Sequence, residues 1–361
     1  MKKRLLACGL AVTLGCLANT SLAVDLTPEE QLGKAMYEDK NFSFNQMQSC
    51  KSCHDEATGF ADPDNAFDPD NSVVSTGADG FSEGGRNAPT AAYAGYSPVR
   101  YKMKRTGEYF GGLFWDSRAD GSQLGDPLAE QAQGPPLNQM EMKMPDIASI
   151  VEVIKDNYAD EFKIVYDFES FEQEDETYNL FARAIAAYER SPEVLKFNSR
   201  FDRKQLTPVE RYGQSQFKKH CNSCHFMGRS RGDGPLFTSF GYANIGIPKN
   251  PLIAGDEPDL GLGAVVGEKA QEGKFKIPTL RNVEKTPPYG HNGYFPTLKD
   301  VVNFKNSRDS MGLTPDVADN VSNAIGNLGM TEAQVDAVVQ FLLTLTDPTD
   351  TLAPQTAVQG D

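Results

Sequence analysis

The stretch Cys50–His54, with the sequence CKSCH, is the strongest indication of fold and cofactor in this chain. The same pattern recurs as Cys221–His225, with the sequence CNSCH. In each stretch two cysteines separated by two residues are followed at once by a histidine. This pattern is typical of haem c attachment, in which the thiols bond to the haem vinyl groups and the histidine binds the iron. Structural zinc or a disulfide could use the cysteine pairs, but neither explains the histidine after each pair. We therefore predict two covalently bound haem c groups. The predicted attachment residues are Cys50, Cys53, Cys221 and Cys224, and the predicted iron ligands are His54 and His225.

Helix-start signals precede both motifs. Thr27 and Thr207 are each followed by proline and, at the third position, by glutamate, which is the pattern of a capping box. Apolar residues at helical spacing predict closing helices over 176–190 and 331–345. Strand signals are few, and the stretches between the helices are rich in glycine, proline and aspartate. The order of helix, haem motif, long loops and closing helix occurs twice, so we predict an all-α fold of two cytochrome c-like domains with little strand.

The N-terminus has the layout of an export signal. Basic residues at 2–4 precede an apolar run at 5–17, and Ser21 and Ala23 are small residues at the positions that a signal peptidase requires. The apolar run is too short to span a membrane comfortably, and no other stretch comes close to a span. We expect cleavage after Ala23 and a periplasmic protein. A lipoprotein signal ending at Cys16 is the weaker alternative.

The composition limits the partners. The chain has 361 residues, enough for two domains, with 35 Lys and Arg against 50 Asp and Glu, a formal net charge of −15. Nucleic acid and anionic lipid require a cationic protein surface, so neither is expected as the main partner. An acidic surface suits a basic cytochrome partner, although charge of this size is also ordinary for solubility.

The histidine count constrains the chemistry of the two haems. The chain has four histidines, and two of them belong to the haem motifs, which leaves His220 and His291. His220 is adjacent to the second motif and is badly placed to reach the other haem face, so the two haems cannot both have two histidine ligands. A haem without a strong sixth ligand is open to small oxidants such as peroxide, whereas a haem with both positions filled passes electrons. One haem of each kind is the arrangement of an enzyme.

Further motifs give the chain a resemblance to the bacterial di-haem cytochrome c peroxidases and their MauG-type relatives. The resemblance covers nearly the whole chain beyond the signal. Its motifs are 85–90 (GRNAPT), 114–118 (FWDSR), 130–132 (EQA), 134–142 (GPPLNQMEM), 277–282 (IPTLRN) and 288–293 (PYGHNG).

The resemblance implies roles for individual residues. Trp115 resembles the tryptophan that lies between the haems and relays electrons; the alternative is a core aromatic residue. Glu141 resembles the distal acid over the open N-terminal haem, and Gln131 the amide that helps to order its pocket. Cleavage of peroxide requires a proton to move between its two oxygens, which suits a positioned carboxylate. The alternative for Glu141 is a solvated loop residue.

The resemblance also implies a calcium site and contacts to the haem edges. Asn87 and the backbone carbonyls of Thr286 and Pro288 match a Ca²⁺ site between the haems, and such oxygen ligands suit this ion. His291 is expected to donate to a haem propionate or to order the second pocket, and Arg281 is expected to act likewise.

Two departures from the family pattern matter. Many members place a histidine on the peroxidatic iron from a loop that matches 74–80, where Ala78 stands here, so the N-terminal haem should be open at rest. The C-terminal haem takes Met in peroxidases and Tyr in MauG-type members, nineteen residues after the position of Thr286, which is Lys305. A lysine binds iron only as the neutral amine, so burial must lower its pKa. Met311 is the alternative ligand.

Three functions remain open at this point. The protein could reduce hydrogen peroxide with electrons from a small periplasmic cytochrome or copper protein, or it could use peroxide to oxidise Trp or Tyr of a partner protein. A non-enzymatic electron carrier is disfavoured by Glu141 and the open haem. The predicted domains are a signal peptide at 1–23, a peroxidatic domain at 24–195, an electron-transfer domain at 196–347 and a flexible tail at 348–361.

Overall fold

The protein is described by a computed structural model that covers residues 25–168, 170–228 and 233–348. The predicted signal peptide, and the tail after residue 348, lie outside the described residues. Within them the helices are α1 Pro28–Glu38, α2 Cys50–Cys53, α3 Pro63–Phe67, α4 Pro127–Ala132, α5 Gly134–Leu137, α6 Ile147–Tyr166, α7 Glu174–Glu189, α8 Pro208–His220, α9 Leu262–Val266, α10 Leu298–Ser307 and α11 Glu332–Leu343. None of these helices is long and apolar enough to cross a membrane.

Strand is confined to two short antiparallel pairs in the described chain. Strand β1 (Tyr101–Lys102) pairs with β2 (Tyr109–Phe110), and β3 (Tyr242–Ala243) pairs with β4 (Phe275–Lys276). The expectation of a mostly helical protein with little strand is therefore confirmed. The predicted closing helices are also confirmed, as α7 and α11, with ends that differ from the prediction by no more than two residues.

The capping boxes predicted from the sequence are present. In α1 the Thr27 backbone N–H donates to the Glu30 carboxylate at 2.7 Å, and the Glu30 N–H donates to the Thr27 hydroxyl at 3.3 Å. In α8 the same two bonds join Thr207 and Glu210 at 2.7 and 3.3 Å. Each box satisfies backbone donors that a helix start would leave unpaired, so both helices begin at the residue that the sequence indicates.

A close helix crossing organises each half. A Cβ atom placed on Gly33 of α1 would lie 1.8 Å from the carbonyl oxygen of Ala184 in α7. A Cβ atom placed on Gly213 of α8 would lie at the same 1.8 Å from the carbonyl oxygen of Ala337 in α11. Only glycine allows the two backbones to approach so closely. The first helix of each half therefore crosses its closing helix in the same way.

The loops that follow the haem motifs repeat as well. The Thr90 hydroxyl donates to the carbonyl of Gly59 at 2.6 Å, and the Thr279 hydroxyl donates to the carbonyl of Leu236 at 2.7 Å. Both threonines follow a proline, in the motifs GRNAPT and IPTLRN. Each bond ties a loop beside its haem motif. One hydrophobic core lies around α1, α4, α6 and α7, and a second around α8, α10 and α11.

Candidate active site

Two cavities lie beside the two cysteine motifs. The first has a volume of about 670 Å³ and is lined by Cys50 and Cys53, and the second has a volume of about 200 Å³ and is lined by Cys221 and Cys224. All four cysteines are free thiols. Burial raises the pKa of the Cys53 thiol to about 12 and that of Cys221 to about 11. Paired thiols that line a largely apolar cavity fit a group that is attached through them.

The two motif histidines are held in the same way. His54 Nδ1 lies 3.1 Å from the carbonyl oxygen of Phe60, and His225 Nδ1 lies 2.9 Å from that of Phe237. A carbonyl oxygen only accepts, so Nδ1 carries the proton and Nε2 keeps a free electron pair. Burial lowers the pKa of both imidazoles, to about 4 for His225. Neutral histidines with a free Nε2 fit an iron ligand, so the residues present suit haem in both cavities.

Glu141 lines the first cavity, as the resemblance implies. Its Oε1 accepts a hydrogen bond from Asn138 Nδ2 at 2.7 Å. Burial raises the pKa of the Glu141 carboxyl, and the charge of Arg118 and the bond from Asn138 partly oppose the rise. Gln131 lines the same cavity. The sequence-predicted acid and amide thus line the same cavity.

The loop that carries Ala78 packs against the backbone of Met140 and Glu141. The Ala78 backbone N–H donates to the Glu141 carbonyl at 2.8 Å, and a Cβ atom on Gly77 would lie 2.6 Å from the Met140 carbonyl. Ser75 and Thr76 of this loop line the cavity. The loop therefore lines the cavity through two small polar side chains, and the absence of a loop ligand at Ala78 stays a prediction.

Lys305 lines the second cavity. Burial lowers the pKa of its amine, and within the described chain the amine has neither a hydrogen bond nor an ion pair. Met311, the alternative ligand, is 41% exposed and does not line the cavity. Met330 does line it, and the sequence analysis missed this residue. Of the two ligands considered from the sequence, only Lys305 therefore lines the second cavity, and its binding to iron stays a prediction.

The wall between the cavities contains Trp115, which lines both of them. Its indole Nε1 donates to the backbone carbonyl of Asn87 at 2.8 Å, so the ring is fixed in orientation. Asn87 also lines both cavities, while Thr286 and Pro288 line the second. The three residues predicted to bind calcium therefore all line the second cavity, and the calcium site stays a prediction.

Of the last two predicted residues, His291 lines the cavities and Arg281 does not. His291 lines both cavities and stacks on Phe275, with 3.5 Å between ring centres, and burial lowers its pKa to about 3. Arg281 lines neither cavity: its guanidinium pairs with Asp202 through two bonds of 2.5 and 2.9 Å and donates to the Pro235 carbonyl at 2.8 Å. Its guanidinium is thus bonded to Asp202 and Pro235, and its expected contact with a haem propionate or part in ordering the second pocket stays a prediction.

Among the charged residues of the cavity walls that the sequence analysis missed, two have strongly shifted pKa values. Lys276 lines both cavities, burial lowers its pKa to about 7, and its amine donates to the Ser97 hydroxyl at 3.0 Å. Glu189 lines the first cavity and is 4% exposed. A signal for Glu189 was present, because it stands four residues after Ile185 on the apolar face of a predicted helix.

Comparison with known proteins agrees with this geometry. The sequence model of the family described as di-haem cytochrome c peroxidase matches residues 27–207. The methylamine utilization protein MauG of Paracoccus denitrificans is 37% identical over 88% of this chain and 88% of its own. The cytochrome c551 peroxidase of Nitrosomonas europaea is 30% identical over 77% and 73% of the two chains.

A solved structure gives the same result for the fold. The crystal structure of the diheme peroxidase BthA from Burkholderia thailandensis superposes with a TM-score of 0.76 at 30% identity, over 90% of this chain and 87% of that one. The relatives are named as peroxidases and as MauG, and the family is one of di-haem oxidoreductases. This chain is therefore an enzyme of the peroxidase type, and it belongs to the family of the di-haem cytochrome c peroxidases and MauG.

Proposed function

We propose that the protein reacts with hydrogen peroxide in the first cavity and receives electrons through the second. Residues 24–195 form the peroxidatic cytochrome c-like domain and residues 196–347 the electron-transfer domain, each with one covalent haem c. The observation that carries the proposal is the contrast between the cavity walls. Glu141 faces the first cavity with a raised pKa, whereas the unpaired amine of Lys305 faces the second.

Glu141 has the chemistry for the proton transfer that peroxide cleavage requires. Its carboxylate takes a proton from one peroxide oxygen and delivers it to the other, which leaves as water. A pKa raised by burial favours this exchange, because the carboxyl then holds and releases protons closer to neutral pH. Asn138 orients the carboxylate through its amide at 2.7 Å, and Gln131 contributes a second amide to the same wall.

Lys305 and Trp115 serve the supply of electrons. When bound, the two haems provide the iron for peroxide and the capacity to store electrons. A neutral Lys305 amine would fill the sixth position in the second cavity and exclude small oxidants there. Trp115 lies in the shared wall and is the residue that we assign to electron transfer between the halves. His291 orders this wall from its stacked position on Phe275.

The calcium site is proposed on the same wall. The Asn87 amide nitrogen donates to the Val73 carbonyl at 3.1 Å, which directs its Oδ1 away from that bond. The carbonyls of Thr286 and Pro288 complete the set of oxygen donors, and such donors suit Ca²⁺. A calcium ion there would hold Asn87, and with it the carbonyl that accepts from Trp115, in place.

A second function, the oxidation of Trp or Tyr in a partner protein, is favoured by two observations. Lys305 replaces the methionine that a peroxidase would use, and an amine ligand lowers the haem potential relative to Met. Ala78 replaces the loop histidine, so the first cavity needs no reductive opening. In this reaction two electrons from the partner protein reduce peroxide to water.

The experiment that separates the two functions is a stopped-flow reaction of the diferric protein with one equivalent of peroxide, followed by a reduced small c-type cytochrome. Rapid oxidation of the cytochrome in repeated turnovers would establish a peroxidase. A long-lived oxidised state that the cytochrome does not reduce, but that a Trp- or Tyr-containing protein does reduce, would establish the second function. No reaction with peroxide would refute both. Export after Ala23, to the periplasm where such donors occur, is tested by N-terminal sequencing of the mature protein.

A further inference from the structure

The side chain of Glu189 is a buried carboxyl group that lines the first cavity. The side chain is 4% exposed, and its Oε2 is fully buried without a hydrogen-bond partner. Within the described chain neither carboxylate oxygen accepts a hydrogen bond, and the residue forms no ion pair. A buried polar group without a partner costs free energy, so its retention in a cavity wall calls for a function.

The equivalent position in the second half is apolar. Tyr188 and Phe341 occupy matching places at the two helix crossings, with Cβ atoms 3.1 and 3.0 Å from a Cβ placed on Gly33 and Gly213. Glu189 follows the tyrosine and lines the first cavity, whereas Leu342 follows the phenylalanine and lines the second. The fold therefore does not require a carboxyl at this place.

The charged groups around Glu189 do not add up to a net positive charge that would stabilise its carboxylate. Its neighbours with charge or titratable groups are Tyr37 of α1, Cys50 of α2, Asp126 at the start of α4, and Tyr188 and Arg190 beside it in the chain. Arg190 is the one cation among these neighbours, and its charge lowers the pKa of Glu189. It forms two bonds of 2.6 and 2.8 Å to Asp126, whose negative charge raises that pKa and opposes the effect. Burial accordingly raises the pKa of Glu189 to about 8.

We propose that Glu189 is a redox-linked proton-binding residue of the first half: its carboxylate binds one proton when an electron enters the haem of the first cavity and releases it when the electron leaves. This inference rests on the proposed function, because it requires haem in that cavity. The electron comes from the redox partner or an electrode, and the proton comes from solvent. A carboxylate is stabilised by the extra positive charge of the oxidised centre, so reduction favours the protonated form.

The proposal predicts a pH-dependent potential in one half only. Below the Glu189 pKa of the oxidised protein, and above that of the reduced protein, the potential is constant. Between these limits one proton accompanies one electron, so each tenfold fall in proton concentration lowers the potential by about 59 mV. The second half has Leu342 at the equivalent place and is expected to lack this step.

The test is a spectroelectrochemical titration of both haems in the holoprotein from about pH 6 to about pH 10. In the wild type we expect the potential of the first haem to fall across a window near pH 8. Glu189→Gln and Glu189→Leu should hold it at the low-pH value, while Glu174→Gln, which changes an exposed glutamate of the same helix, should behave as the wild type. A first-haem potential in Glu189→Gln that still falls as in the wild type would overturn the proposal.

Two further measurements keep the outcome decisive. If the variants do not fold, the wild type is sufficient for the test. A potential of its first haem that stays constant over this pH range would overturn the proposal. Redox-difference infrared spectra should contain the carbonyl band of a protonated carboxyl on reduction, and this band should be absent in Glu189→Gln. Haem content and the number of reduction steps are read from the same samples. Absence of the first haem would refute the proposed function, whereas its presence with a constant potential would refute only the role of Glu189.

Discussion

The two halves of this protein share their backbone arrangement and differ in the side chains that face the cavities. In both halves a glycine allows the helix crossing, and a carbonyl fixes Nδ1 of the motif histidine, at 3.1 Å from His54 and 2.9 Å from His225. The first cavity is faced by Glu141 and Glu189, and the second by Lys305 and Leu342. The difference teaches that two halves which hold their motif histidines alike can present different charged side chains to their cavities.

The test with the largest expected effect removes the predicted attachment cysteines from one half at a time. Cys50→Ser with Cys53→Ser should abolish covalent haem in the first half and, with it, peroxide consumption. Cys221→Ser with Cys224→Ser should leave the first haem in place but abolish electron transfer from a reduced cytochrome. Haem staining after denaturing electrophoresis and peroxide assays measure both effects. Continued peroxide consumption by the first variant would reverse the assignment of the halves.

The next test concerns the distal acid. Glu141→Gln should lower the rate constant for reaction with peroxide by about 10²–10⁴-fold, the usual contribution of a positioned acid–base group. Because the carboxylate must accept the first proton, the wild-type rate should rise with pH through the Glu141 pKa, which burial places above its usual value of 4.5. The glutamine variant should lose this dependence.

Stopped-flow measurements over pH provide both the rate and its profile. Glu83→Gln, at an exposed position outside the first cavity, is the matched control and should react as the wild type. Unchanged reactivity of Glu141→Gln would show that another group moves the proton.

A third test asks whether Lys305 occupies the sixth iron position of the second haem. Lys305→Ala should open the sixth position, so that the second haem binds added imidazole, and Lys305→Met should raise its potential. Absorption spectra and redox titration measure these changes. Met330→Leu and Met311→Leu are the controls, because one side chain lines the second cavity and the other does not. A change in coordination with Met330→Leu, and none with Lys305→Ala, would transfer the ligand role to Met330.

The smallest expected effect tests whether the halves are truly equivalent in their packing. Gly33→Ala and Gly213→Ala each bring a Cβ to 1.8 Å from a backbone carbonyl, so the crossing helices must separate. We expect each change to lower the free energy of unfolding by about 1–3 kcal/mol, as overpacking usually does. Denaturant titration of the holoprotein measures it. Gly84→Ala has room for the added methyl and should change little; a large loss in only one of the two crossings would show that they are not equivalent.

Much of the fold could be predicted because its signals are local. Capping boxes at Thr27 and Thr207 depend on residues three apart, and the closing helices depend on apolar spacing, so both were found at nearly their observed places. Glu141 and Trp115 were found through motifs, and the structure places both in the first cavity wall. Their roles stay predictions.

Other residues could not be assigned from sequence because their partners are distant along the chain. Arg281 was expected at a haem edge, and its bonds to Asp202 were not foreseen. Met330 was overlooked as a cavity residue, and Met311 lies at the surface instead. In each case the deciding contact joins residues from separate elements, which no local spacing records.

The sequence by itself determined that two haem motifs, each between a capped helix and a closing helix, occur in an acidic chain. It did so because cysteine spacing, helix caps and helical periodicity all act over a few residues. Only the tertiary structure decided which charged groups lose their contact with water. Lys276 has no sequence signal of burial, and Glu189 has only its place on an apolar helix face, yet folding places both in cavity walls and moves their pKa values to about 7 and about 8. Desolvation depends on all the elements that surround a group, so it exists only once the chain has folded.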